Sequence, residues 1–218
     1  MERRDWLAWH DAYDEPESSL ARRLEIVRGY IRDVLDMRTG TPTRVISACA
    51  GEGRDIIDVT VAHPAREAVG AYLIEAAPTV AAVARSTAAR YGLHGFTIVE
   101  ADAGISSFYA AAVPADLLLF CGVFGWISDT DLFRTIDFLP RLAAPGATVI
   151  WTLHHREPDR TRAARARFRA AGFAEVAFVK PARSVSSVGV SRLMRPPQEF
   201  QRGVRLFTFD AGANETAG

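Results

Sequence analysis

Ile46-Ser47-Ala48-Cys49-Ala50-Gly51-Glu52-Gly53-Arg54-Asp55 is the stretch on which the fold turns. A short apolar run, residues 44–50, enters a turn holding Gly51 and Gly53, and a helical pattern runs from about Arg54 to a stop at His63-Pro64. A sharp turn from strand into helix favours residues without a Cβ. Such residues let a ligand lie against the backbone, near the free N–H groups of the helix. A Gly-x-Gly alone marks many tight loops, so its meaning depends on what the rest of the chain brings beside it.

Working outward, strand and helix signals alternate. Residues 68–75 read as a second strand, and 78–91 as a helix closed by Gly92. Residues 96–99 and 115–121 are strands, 129–143 a helix with Leu132, Phe133, Ile136 and Leu139 on one face, and 147–153 a fifth strand. An arginine-rich helix spans 159–171, with Gly172 as its cap. Three strand-like segments then follow without helices, at 175–179, 188–193 and 205–209. Alternation of this kind implies an α/β doubly wound, mostly parallel sheet. Late strands in direct succession cannot each make a helical crossover, so at least one runs antiparallel. Before the first strand, Leu20, Leu24, Val27, Ile31, Val34 and Leu35 form one helical stripe, with a start expected near Asp14, Pro16 and Glu17. An aromatic segment of Trp6, Trp9, His10 and Tyr13 precedes it. We expect a single domain over 1–218, with N-terminal helices (1–40) capping a core at 43–210.

The composition narrows the function classes. The 218 residues are 49% hydrophobic and 24% charged, with a formal net charge of zero. Proteins that grip nucleic acid or anionic membranes through their field carry a basic surplus, so nucleic acid is not the expected partner. There is no apolar run of about twenty residues to span a bilayer, and the charged start, Met1 to Trp6, gives no sign of a secretory leader. Cys49 and Cys121 sit in apolar strand-like segments without metal-type spacing, so two reduced, buried thiols and a cytoplasmic location are expected, with no metal.

Two acids stand where the alternation places strand ends. Glu75 closes the second strand, twenty-two residues beyond Gly53, where a carboxylate can accept from both hydroxyls of a ribose. Asp102 follows the third, where it can accept from an exocyclic adenine amine or simply cap the next segment. Singly each is as well read as an ordinary surface acid. Together with the glycine turn, on one edge of the sheet, they outline a nucleoside.

From Thr43 to Leu193 the sequence resembles the class I S-adenosylmethionine-dependent methyltransferases, a Rossmann-like family with a seven-stranded sheet and a late antiparallel strand. The resemblance implies S-adenosylmethionine as cofactor and S-adenosylhomocysteine as product. It assigns the glycine loop to the methionine part, Glu75 to ribose and Asp102 to adenine, with Ala103 and Cys121 as backbone or wall contacts. Leu142 to Gly146 is similar to the family's turn before strand five, and the aromatic lead segment to helices that cover the cofactor, making His10 and Tyr13 lid candidates. The chain departs from the pattern twice: Ser47 stands at the family's strand-one acid and Cys49 at its first loop glycine. Serine can hydrogen-bond an ammonium group but brings no charge, and Asp55 or Asp14 are the residues placed to compensate.

The acceptor should lie over the ends of strands four and five. His154 and His155 are the base candidates there, since imidazole titrates near neutral pH. Phe124 and Trp126 are candidates for an aromatic wall, with core packing as the alternative. The chain lacks an Asn/Asp-Pro-Pro-aromatic motif after strand four and a Pro-Cys, which argues against base-amine and pyrimidine-carbon methylation. The arginines from Arg156 to Arg169 are a candidate anion or RNA surface or a solvated face. The expected activity is methyl transfer to an oxygen or nitrogen of a small-molecule acceptor, the alternatives being a non-catalytic S-adenosylmethionine-binding module or an RNA methyltransferase. A nicotinamide oxidoreductase would need a small residue at Ile56, and no Gly-x-Ser-x-Gly or His-Glu-x-x-His supports a hydrolase.

Overall fold

A computed structural model describes residues 18–209 apart from 156, 182 and 183. Ser18 caps the first described helix, α1 (Ser19–Met37), its Oγ accepting the Ala21 N–H at 2.9 Å. A short hydroxyl side chain in extended backbone can reach back to the first turn in this way, and the start expected near Asp14, Pro16 and Glu17 lies outside the described residues. There follow β1 (Thr43–Ala48), α2 (Ile56–Ala62), β2 (Val69–Glu75), α3 (Pro78–Arg90), β3 (Phe96–Glu100) and β4 (Ala115–Phe120). The chain continues through α4 (Asp129–Phe138), β5 (Ala143–His154), α5 (Thr161–Ala170), β6 (Phe173–Val179) and β7 (Ser186–Leu193).

The seven strands lie in the order β3-β2-β1-β4-β5-β7-β6. All neighbouring pairs are parallel except β5–β7 and β6–β7. The single reversed strand is β7, as the loss of intervening helices predicts. Helices α1, α2 and α3 pack on one face through Val27, Ile31, Ile56, Ile57 and Ala84 against Val45, Leu73, Leu117 and Leu119. Helices α4 and α5 cover the other through Leu132, Ile136 and Phe168 against Ile46, Leu118, Phe120 and Trp151. Strands covered on both faces read as unbroken apolar runs, which is why Leu117 to Phe120 shows no alternation.

Three expectations are corrected. Strand β5 starts at Ala143, where it pairs with Ala115 before an irregularity, so the expected turn at 142–146 lies mostly inside a bulged strand. Helix α4 ends at Phe138 and gives way to a short 3-10 turn, with Pro140 in it. Residues 205–209 form no ladder strand. They make two isolated bridges, Ile105 to Arg205 and Ile127 to Phe209, and cross the carboxyl edge of the sheet as a strap. Leu206 and Phe207 anchor it in the core, and the backbone of Gly104 accepts from Leu206 N–H at 2.7 Å.

Candidate functional site

The order reverses between β1 and β4: successive crossovers run outward from β1 through β2 to β3, and the chain then returns to the other side of β1. Loops leaving adjacent strands in opposite directions open a crevice at the carboxyl ends. A cavity of about 260 Å³ lies there. The turn after β1 supplies Cys49, Ala50 and Gly51, β2 ends in it with Glu75, and β4 ends beside it with Cys121 and Gly122. Helix α1 walls it with Arg23, Leu24 and Val27, and Trp126 and Phe209 close it opposite.

The turn is held by the acid it faces. Glu75 Oε2 accepts the Gly51 N–H at 2.9 Å and Oε1 accepts the Ala77 N–H at 2.9 Å. Each carboxylate oxygen has a second lone pair, so the two backbone bonds fix the group without exhausting it as an acceptor. Gly51 holds φ +58 and Cys49 φ +52. The backbone at Cys49 thus keeps the left-handed conformation a glycine would adopt freely, and Cys49 is the only non-glycine with positive φ among the described residues. Gly53 has another task. Its φ is +72, and a Cβ there would lie 2.8 Å from Ile57 and Leu73 side-chain atoms, so it serves the packing of α2 on β2 and does not line the cavity. Asp55 caps α2, its Oδ1 accepting the Ile56 N–H at 2.7 Å.

The remaining candidates divide. Ser47, Cys49, Gly51, Glu75, Cys121 and Trp126 line the cavity; Asp102 and Ala103 do not. Asp102 Oδ1 accepts the Gly104 N–H at 2.8 Å and Oδ2 takes Arg205 Nη1 at 2.5 Å, so its carboxylate is engaged by its own turn and by the strap. Ala103 is buried and its carbonyl accepts from Tyr109 at 2.6 Å. Phe124 is corrected outright: it is fully buried among Phe120, Trp151 and Phe168 and belongs to the core.

Neither histidine lines the cavity. His154 stacks on Trp126 with ring centroids 5.3 Å apart, and its Nδ1 lies 3.5 Å from Ser186 Oγ. His155 points elsewhere, with Nδ1 3.8 Å from Asp159 and 3.4 Å from Thr161 Oγ1, while burial and nearby Lys180 hold its imidazole below the usual range against the pull of Asp159. Three arginines of the 156–169 stretch are engaged by other groups. Arg165 forks onto Glu175, Arg167 pairs with Asp137, and Arg160 is buried against the Phe124 and Ile127 carbonyls. His10, Tyr13 and Asp14 lie outside the described residues.

Sequence reading missed Arg23 and Phe209. Phe209 carried no local signal, since only the strap brings it there. Arg23 carried one: it sits four and eight residues before Val27 and Ile31, on the buried stripe of α1, and is itself only 7% exposed. An arginine on an apolar stripe is a side chain with somewhere to go.

No protein-family model matches the sequence, and no curated protein matches it. Solved structures match by shape. A "possible exported protein" from Bordetella parapertussis superposes with TM-score 0.62 at 16% identity over 76% of this chain, which spans 66% of that protein's length. The magnesium protoporphyrin IX methyltransferase ChlM from Synechocystis PCC 6803, with bound S-adenosylmethionine, matches at TM-score 0.61 and 15% identity, over 78% of this chain and 79% of its own. The [4+2]-cyclase SpnF matches at 0.55 and 14%, over 78% and 81%. Other methyltransferases match at similar levels. The chain has the Rossmann-like fold of class I S-adenosylmethionine-dependent methyltransferases.

Proposed function

We propose that this chain binds S-adenosylmethionine in the carboxyl-edge cavity and transfers its methyl group to an oxygen or nitrogen of a small molecule. The observation that carries the reading is the Glu75 carboxylate, locked by Gly51 and Ala77 at the end of β2 while retaining acceptor capacity toward the cavity. A cis-diol is the partner such a carboxylate takes in two charge-assisted bonds. Apolar Leu24, Val27 and Val80 offer the rest of a nucleoside a dry wall.

When bound, the cofactor supplies a methyl already activated by the sulfonium, so the protein's part is alignment. Cys121, Gly122 and Trp126 border the side from which an acceptor would approach. Gly125 lets that loop close on β5: a Cβ there would lie 2.5 Å from the His154 Cβ. His154, stacked on Trp126, is the candidate we assign to accept an acceptor's proton. A second reading, binding without transfer, is favoured by one observation: among the described residues no histidine lines the cavity.

Calorimetric titration with S-adenosylmethionine, S-adenosylhomocysteine and NADH tests the cofactor. Both adenosyl ligands should bind and NADH should not; no heat from either adenosyl ligand at high micromolar concentration would sink the proposal. Glu75→Ala should weaken binding by about 1–3 kcal/mol, the range for a lost bond to a charged group. Radiolabelled methyl transfer to a panel of phenols, carboxylic acids and amines then separates an enzyme from a binding module.

A further inference from the structure

The cavity wall is uneven in charge. Its charged side chains, Arg23, Arg54, Asp55 and Glu75, come from α1, the turn after β1 and the end of β2. The end beside β4 is lined instead by Cys121, Gly122, Trp126 and Phe209. Burial and Asp55 hold the Cys121 thiol well above its ordinary range, against the pull of Arg23, so it stays protonated. The Gly122 N–H is taken by Thr152 Oγ1 at 2.7 Å, and a Cβ on Gly122 would meet nothing within 4 Å. This end is therefore open space bordered by two rings, and the described residues that line it carry no charge. A charged group placed there would lose water without gaining a partner.

Both rings are set by the same short loop. Arg160 donates to the Phe124 and Ile127 carbonyls and so fixes the chain on each side of Trp126. Trp126 lies on His154, with ring centroids 5.3 Å apart and planes 16° from parallel. The backbone of Ile127 bridges to Phe209, whose ring leans edge-on against buried Phe207 at 5.6 Å. Phe209 nevertheless remains 46% exposed, with its backbone tied down and its side chain at the cavity. A ring fixed in this way loses little freedom when a ligand covers it. A flat ligand ring gains stacking there in addition to the area it buries.

We infer that Trp126 and Phe209 are specificity-determining residues that select a flat, uncharged aromatic acceptor at the β4 end of the cavity. The inference rests on the methyl-transfer reading above and narrows it. Of phenols, carboxylic acids and amines, the neutral phenol is the class this wall accepts, since the others bring a charge with no counter-charge to meet it. The strap then has a part in choosing the acceptor, through Phe209.

Ligand-observed NMR titrations of the full chain, run with and without saturating S-adenosylhomocysteine, test this with three probes. They are 2-naphthol, its puckered decahydro analogue, and 2-naphthoate, which is flat but charged. Wild type should prefer 2-naphthol to the decahydro analogue by about fivefold, the scale of aromatic stacking beyond area burial. It should prefer 2-naphthol to 2-naphthoate by about tenfold or more, the scale of an unpaired charge taken out of water. Phe209→Leu keeps an apolar side chain and removes the ring. In it 2-naphthol should weaken by about fivefold and the decahydro analogue by less than about twofold; Trp126→Leu should act in the same direction. Equal loss of both probes in Phe209→Leu overturns the inference, since that is the mark of contact by area alone. Wild type that binds 2-naphthol no better than the other two overturns it without any variant. If S-adenosylhomocysteine binds and the probes are not distinguished, the cofactor reading stands and the ring selection falls. If S-adenosylhomocysteine does not bind, the cofactor reading has failed, and ring selection is decided by the titrations run without it.

Discussion

Cys49 occupies a backbone position at φ +52 that costs an L-residue about 1–2 kcal/mol and glycine almost nothing. Cysteine tolerates it because Cβ carries one unbranched substituent; a β-branched side chain would add a second clash. Cys49→Val should therefore destabilise the chain by about 2 kcal/mol relative to Cys49→Gly, read from urea midpoints at constant slope. Equal midpoints would mean that the turn relaxes out of the left-handed region. His155 offers a pH-dependent counterpart. Its Nε2 is buried without a hydrogen-bond partner among the described residues, and its folded pKa lies below the unfolded value. The unfolded chain then binds more protons over that interval, so this contribution is complete above about pH 6.5 and is lost as pH falls toward the folded value. Stability measured at about pH 7.5 and about pH 5.5 should diverge less in His155→Gln than in wild type. Asp159 and Glu175 are held below the ordinary carboxylate range and lose their contributions at lower pH still. At this scale the sequence was legible where chemistry is local. Glu75 and Gly51 are named by strand end and turn. What surrounds Gly53 and Phe124, Ile57 and Leu73 for one and Trp151 and Phe168 for the other, is set by packing that spacing does not show.

Elements with their own periodicity were legible, and those held by distant partners were not. Leu132 and Ile136 announce α4 because a helix repeats its buried face every three to four residues. The strap has no such rhythm. It is placed by Ser106 Oγ accepting from Val204 N–H, by Asp131 Oδ2 accepting from Thr208 N–H at 3.0 Å, and by Phe207 in the core. Phe207→Ala should accordingly cost about 3–5 kcal/mol, as for a large aromatic removed from a close-packed interior. A loss under 1 kcal/mol would mean that the strap is an appendage. The loop between β4 and α4 is likewise fixed from outside itself. Arg160, 6% exposed, donates to the Phe124 carbonyl at 2.7 Å, to Ile127 at 2.8 Å and to Asp129 at 3.0 Å. Removing it leaves buried carbonyls unpaired, and Arg160→Met should destabilise by about 2–4 kcal/mol. Trp126 rides on that loop, so its fluorescence should shift in the variant even under conditions where it stays folded.

For the molecule as a whole, shape and activity are separable quantities. The same architecture houses ChlM, a methyltransferase, and SpnF, a [4+2]-cyclase, so function has to be argued from what lines the cavity. None of the described helices is long and apolar enough to cross a membrane. The cavity is walled by parts remote in sequence: α1 with Arg23, the turn at Gly51, β2 at Glu75, β4 at Cys121, and the strap at Phe209. A ligand filling it bridges elements from both faces and both ends of the described chain, and its binding free energy is added to the folded state alone. At a free concentration one hundred times Kd that addition is about 2.7 kcal/mol. For a chain of this length each kcal/mol raises Tm by about 2–4 °C, so saturating S-adenosylhomocysteine should raise Tm by about 5–11 °C. The rise should shrink in Glu75→Ala measured at the same ligand concentration. It should shrink in Phe207→Ala as well, since Phe207 anchors the strap that brings Phe209 to the cavity wall. Calorimetry scans with and without ligand distinguish these cases, and an unchanged Tm in wild type at ligand concentrations far above the expected Kd would mean that the folded chain does not bind it.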